Sequence, residues 1–158
     1  MSLTLLSSAF VHDGAMPPSL TCDGTDRSPP LAWTGAPAAT KSFALIVDDP
    51  DAPDPKAPKR VFVHWLLYNL PPGTGALAEN AGKTGLPSGT CAGRNDAKDC
   101  GYCAPCPPIG RHRYFFRLYA LDSVLPDLHE PSRPALEAAM QGHILESAEV
   151  MATYERLH

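Results

Sequence analysis

Cys100, Cys103 and Cys106 stand at two-residue spacing in the stretch CGYCAPCPPIGRHRY, immediately before a histidine, an arginine and a tyrosine. With Cys91 upstream and His112 downstream, the donors for a tetrahedral zinc site are present in the sequence. Structural zinc normally takes two separated cysteine pairs, however, and Pro105, Pro107 and Pro108 leave the chain little freedom to wrap an ion. The Cys100-x-x-Cys103 spacing is also that of thiol oxidoreductases, whose reactive thiolate is stabilised by a helix N-terminus. Here Ala-Pro-Cys-Pro-Pro follows, which does not open a helix. The bland reading is favoured: cysteines reduced in a cytosolic loop, or paired incidentally on oxidation, with a cysteine-based metal or redox switch kept as an alternative. No metal and no cofactor is expected.

The second set of chemical residues is spread more widely. DDPDAPDPKAP alternates acid and proline directly after an apolar run, which composition alone reads as a polar turn. Asp49 and Asp51 nevertheless sit at the mouth of a buried strand, where charges need partners, and histidines are the expected ones. His64 is the only polar residue between Val61 and Tyr68, a position that usually means hydrogen-bonded core packing. His112 and Tyr114 share one face of a strand by period two. Together the imidazoles, the tyrosine hydroxyl and loop N–H groups form a donor set suited to an anion. A carboxylate beside it would share a proton, pair with a histidine or meet a ligand ammonium. Ser88 and Thr90 have no histidine at diagnostic spacing, so binding is favoured over turnover, and no catalytic residue is expected. A hydrolase using His112 or Asp51 as general base on a phospho- or acyl-ester is the alternative.

These residues need a scaffold of strands. The chain has 158 residues, enough for one domain, 1–158, with its own core. Its 18 prolines are more than twice the ~5% average usage and disfavour a helical protein. Phe43 to Val47 and Val61 to Leu70 are apolar on both parities, as in central strands covered on two faces. Helical spacing enters only after Pro134, with Leu136, Met140, Ile144 or His143, Ala148 and Met151 on one stripe. One or two terminal helices with a break at Gly142 are therefore expected. The fold class is mainly β: an antiparallel Greek-key β-sandwich with C-terminal α-helices. The net charge of -4 without a basic run excludes nucleic acid and acidic membrane surfaces as partners. No apolar window approaches a membrane span and the N-terminus lacks a basic, apolar leader, so a cytoplasmic location is expected.

In this order the motifs resemble one family. TCDGTDRSPPLAW, DPDAP at 49–53, HWLLYNLP at 64–71, the run P-P-x-G-x-H-R-Y and the C-terminal AMQGHILESAEVMATYER are similar to the phosphatidylethanolamine-binding proteins, or Raf-kinase-inhibitor-like proteins, of the shorter bacterial branch. The resemblance implies a β-sandwich and a small anion pocket at one end of a sheet, taking phosphate or phosphorylated head groups. It assigns ligand-binding roles to Asp49, Asp51, His64, His112 and Tyr114, and to backbone groups from Ala104 to Cys106. It further implies a small phosphate-bearing ligand or a phosphorylated protein as partner, regulation of a kinase or other protein as a role, a homodimer, and a terminal helix over 139–156. The chain departs from the family pattern at Ala104, where glycine is usual; a positive φ there would cost alanine about 1 kcal/mol. Ala97, Lys98 and the additional cysteines are further departures.

Overall fold

The computed structural model describes residues 2–156 and folds them into two sheets. The smaller contains β1 (Thr4–Leu6), β3 (Leu31–Thr34) and β6 (Ala76–Leu77) in the order β1-β3-β6. The larger contains β2 (Gly14–Ala15), β9 (Ile144–Tyr154), β8 (His112–Leu121), β4 (Ser42–Ala52), β5 (Arg60–Leu70) and β7 (Cys91–Ala92), in that spatial order. All pairings are antiparallel except the short β2–β9 bridge, which is parallel. Two short helices, α1 (Ala81–Thr84) and α2 (Arg133–Met140), and a 3-10 turn at Pro18–Leu20 complete the regular structure of the described residues. No helix of the described residues is long and apolar enough to cross a membrane.

The two-parity apolar strands lie in the middle of the large sheet for the reason expected from their composition. Phe43, Leu45, Val47, Trp65 and Leu67 pack into the core between the sheets. Ala44, Ile46, Leu66 and Tyr68 point the other way and pack with Leu136 and Met140 of α2. A strand buried on both faces cannot alternate polar and apolar residues. Below α2, buried Asp48 accepts from Arg117 Nε at 3.0 Å and from Arg133 Nη1 at 2.7 Å, tying helix to sheet.

The C-terminal helix expected over 139–156 is a strand from Ile144 onward. Leu136 and Met140 do form a helical stripe, but α2 ends at Met140, and Gly142, at φ +83°, turns the chain back. β9 then pairs with β8 along its whole length, from Leu121↔Ile144 to His112↔Tyr154. Its buried residues, Val150, Ala152 and Tyr154, follow period two. An open strand edge on β8 offers a ladder of backbone hydrogen bonds that outweighs the helical spacing of a few side chains.

Candidate functional site

Because β5, β4 and β8 run antiparallel side by side, the end of β4 and the starts of β5 and β8 meet at one end of the sheet. There they enclose a cavity of about 410 Å³ together with the segment 103–108. Six of the seven residues expected from the sequence line it: Asp49, His64, Ala104, Cys106, His112 and Tyr114. A larger depression of about 560 Å³ beside α2 presents only Glu137 and Tyr119 as ionisable groups and has no comparable chemistry.

His112 is delivered by a turn in which Gly110 has φ +76°, and a Cβ there would meet Pro55 Cδ at 3.1 Å. The ring is 1% exposed. Its Nδ1 lies 2.6 Å from Asp49 Oδ2, and its Nε2 lies 2.8 Å from the Ile109 carbonyl oxygen. A carbonyl oxygen only accepts, so Nε2–H donates to it, and the Nδ1–Oδ2 contact holds a single proton between the His112 imidazole and the Asp49 carboxyl group. Both ring nitrogens are therefore committed within the protein. His112 shapes the pocket wall but has no hydrogen-bonding atom left for a ligand, in contrast to the donor role expected of it.

His64 is arranged differently. Its Nδ1–H donates to the Cys103 carbonyl at 2.6 Å while the Cys103 N–H donates to the His64 carbonyl at 2.9 Å. The ring sits against Phe62, with centroids 4.8 Å apart, and edge-on to Tyr114, at 5.2 Å. Burial holds its pKa below the ordinary histidine value; the Cys103 carbonyl and the charges of Asp49, Asp48 and Asp96 oppose that shift without overcoming it. Nε2 has no hydrogen-bond partner among the described residues. The Tyr114 phenol is pushed well up, first by burial and then by the nearby Asp49 charge, so its hydroxyl keeps its proton. It too makes no hydrogen bond to the described protein.

The wall formed by 103–108 carries backbone donors that the described chain leaves unspent. The N–H groups of Ala104 and Cys106 donate to nothing in the described chain, and prolines at 105, 107 and 108 bring none. Ala104 is not among the residues with positive φ, so alanine is tolerated here without the strain expected from the family pattern. The wall is fastened from behind. A Cys22–Cys106 disulfide spans 84 positions, and the Cys22 N–H donates to the Pro105 carbonyl at 3.1 Å.

Of the two states left open for the cysteines, reduced or paired on oxidation, Cys22 and Cys106 take the second. Cys91, Cys100 and Cys103 are free, and among the described residues no group of three metal-ligating side chains converges. The Cys100 thiol donates to Glu130 Oε1 at 2.8 Å, and burial pushes the Cys100 and Cys103 thiols up rather than toward the thiolate. The Cys100-x-x-Cys103 pair thus lacks the electropositive setting of a reactive dithiol.

Asp51 is the expected residue that the structure places outside the cavity lining. Arg113 takes its carboxylate through Nε at 3.0 Å and Nη2 at 2.9 Å, with the backbone N–H adding a third bond at 2.9 Å. This fork holds the Asp51 pKa below its ordinary value. Two of the three consecutive-strand aspartates, 48 and 51, therefore pair with arginines; only Asp49 meets a histidine. Lys59, Arg60 and Phe62 also line the cavity and were not singled out by the sequence reading. The signal was available, since period two along β5 puts Arg60, Phe62 and His64 on one face. Arg60 lies 5.1 Å over the Phe62 ring and pairs with Asp96 at 3.2 Å, whereas the Lys59 ammonium has no ion pair among the described residues.

A two-sheet β-domain with one apolar cavity, a few uncommitted polar groups and cations among its lining residues is the form of a small-ligand-binding protein. The family model for phosphatidylethanolamine-binding protein matches residues 6–155, and the chain belongs to that family. A UPF0098 protein of Methanothermobacter thermautotrophicus is 46% identical over 155 residues, covering 98% of this chain and 99% of the relative. The crystal structure of a putative phosphatidylethanolamine-binding protein homolog from Chlamydia trachomatis matches with TM-score 0.91 at 40% identity, covering 99% of each chain. Escherichia coli YbcL, described as a member of the mammalian family, matches with TM-score 0.88 at 30% identity, covering 99% of this chain and 100% of its own.

Proposed function

We propose that the chain is a binding protein without turnover, which takes phosphate or a phosphorylated group into the cavity between His64 and His112. The observation that carries this reading is one largely apolar cavity whose lining residues carry donors that the described chain does not spend, the Tyr114 hydroxyl and the Ala104 and Cys106 N–H groups, with Lys59 and Arg60 also among the lining residues. Three donors and the ammonium of Lys59, which has no ion pair among the described residues, suit an oxyanion with several acceptor atoms, while Phe62 and the prolines suit a short apolar body. A free small molecule and a phosphorylated side chain present the same head group to these donors. Binding rather than hydrolysis is supported by the commitment of His112 and Asp49 to each other, and by Cys103 Sγ, whose one hydrogen bond is to the Ala104 carbonyl.

Calorimetric titration with phosphoethanolamine tests the reading. The wild type is expected to bind, and Tyr114→Phe to bind about tenfold more weakly, the equivalent of about 1.5 kcal/mol for one hydrogen bond to a charged group. No binding to the wild type, or undiminished binding to Tyr114→Phe, would sink it.

A further inference from the structure

The outer edge of β9 is without a partner over most of its length. β9 pairs with β8 throughout, but on its other side it meets β2 only at Gly14↔Ala152 and Ala15↔Thr153. Around that bridge the Asp13 N–H donates to the Met151 carbonyl at 2.8 Å and the Met16 N–H to the Thr153 carbonyl at 2.7 Å. The Met151 N–H donates to His12 Nδ1 at 3.1 Å, which ends the paired stretch. The backbone groups of Met151 and Thr153 thus face away from β8. The register runs without a shift from Glu146 to Tyr154, so by alternation those of Ser147 and Glu149 face the same way. Ser147 and Glu149 are exposed, and these backbone groups have no hydrogen-bond partner among the described residues.

We infer that this open edge, from Ile144 to Val150, is a docking site for an extended peptide segment rich in lysine or arginine, which adds to the large sheet as a further strand. The unspent N–H and C=O groups call for extended backbone. The charge of the surroundings selects the partner's side chains. From Ala135 to Glu155 the chain has four glutamates and no lysine or arginine. Glu149 meets Arg117 at 2.8 Å and Glu137 meets Arg133 at 3.4 Å, yet both arginines also serve the buried Asp48. Glu146 accepts from the Leu3 N–H and has no ion pair among the described residues. Carboxylates here outnumber guanidiniums, and an added cation restores the balance.

The edge also has room and an apolar start. Between α2 and β9, depressions of about 560 and 260 Å³ meet at Tyr119, one lined by Ile144 and Met140, the other by Ser147 and Glu149. Ile144 is 46% exposed and Leu145 38%, so apolar side chains between the partner's cations have surface to cover. A second copy of this chain suits the edge poorly. It would bring its own Glu146 and Glu149 to an edge carrying the same residues, and like charges facing across a strand pair are unfavourable.

The test is fluorescence anisotropy and amide hydrogen exchange of the full chain with three short capped peptides. One alternates lysine and valine, the second has glutamate for lysine, and the third is the lysine peptide with its backbone N-methylated. The lysine peptide is expected to bind and to slow exchange at the Ser147 and Glu149 amides. The other two are expected to bind at least about tenfold more weakly, the loss of charge pairing or of several backbone hydrogen bonds. Ser147→Pro removes one unspent N–H and no bond to β8, and is expected to weaken the lysine peptide about fivefold. Glu149→Lys keeps every backbone group and is expected to erase the preference for lysine over glutamate. No binding of the lysine peptide, equal binding of either control, or protection confined to other strands overturns the inference. Sedimentation of the wild type and Ser147→Pro covers the remaining occupant: a dimer that the variant loses gives the edge to a second copy and overturns it as well.

Discussion

Asp49 and His112 meet at 2.6 Å, with exposures of 3% and 1%, although 63 positions separate them in the chain. The pair anchors one side of the cavity and shares a single proton, so its two members are not equivalent targets for substitution. Asp49→Ala leaves the His112 Nδ1 buried without a partner and is expected to cost about 3–5 kcal/mol. Asp49→Asn can donate an amide hydrogen to Nδ1 while His112 keeps its bond to the Ile109 carbonyl, and is expected to cost less than about 1.5 kcal/mol. Urea denaturation of the two variants separates the outcomes; equal losses would contradict the shared-proton description.

His64 links stability to pH. Its folded pKa lies below the unfolded value, so between the two values the unfolded state binds the additional proton. Its contribution to stability is therefore full above the unfolded pKa, about 6.5, and is lost as pH falls below it toward the folded value. Relative to His64→Gln, the wild type is expected to lose stability as pH is lowered from about 7.5 to about 5.5, measured by denaturant midpoint at each pH. A difference between the two proteins that does not change over this range would show that the ring is not held neutral.

The Cys22–Cys106 disulfide closes a long loop and fastens the donor-bearing wall. Replacing both cysteines with serine is expected to lower stability by about 2–4 kcal/mol, from the chain freedom returned to the unfolded state. The same variant is expected to bind phosphoethanolamine more weakly, because Cys106 both carries one of the free N–H groups and is held by that bond. Thermal unfolding and calorimetry of the double variant provide the check, and unchanged values for both would mean the wall is positioned without the disulfide.

Much of this architecture was legible in order and spacing. Two strands apolar on both parities had to be central, and His112 and Tyr114 had to share a face, because side chains alternate along a strand whatever it packs against. The same alternation put Arg60 and Phe62 beside His64, a consequence open to the sequence reading and not drawn from it. Other features were not local. The helical spacing of Leu136, Met140 and Ile144 is a true helix only as far as Met140, since the residues beyond it complete the edge of β8.

The sequence by itself determined which residue types stand at the ends of which strands, and through them a mainly β chain with acids, histidines and a tyrosine gathered at one end of a sheet. Only the tertiary structure decided how those groups are spent. Asp51 goes to Arg113, Asp48 to Arg117 and Arg133, and both nitrogens of His112 are consumed within the protein, so that His64 Nε2 and the Tyr114 hydroxyl are left facing the cavity. Hydrogen-bond partners are set by distances and directions between strands far apart in the chain, and neither spacing nor composition records them.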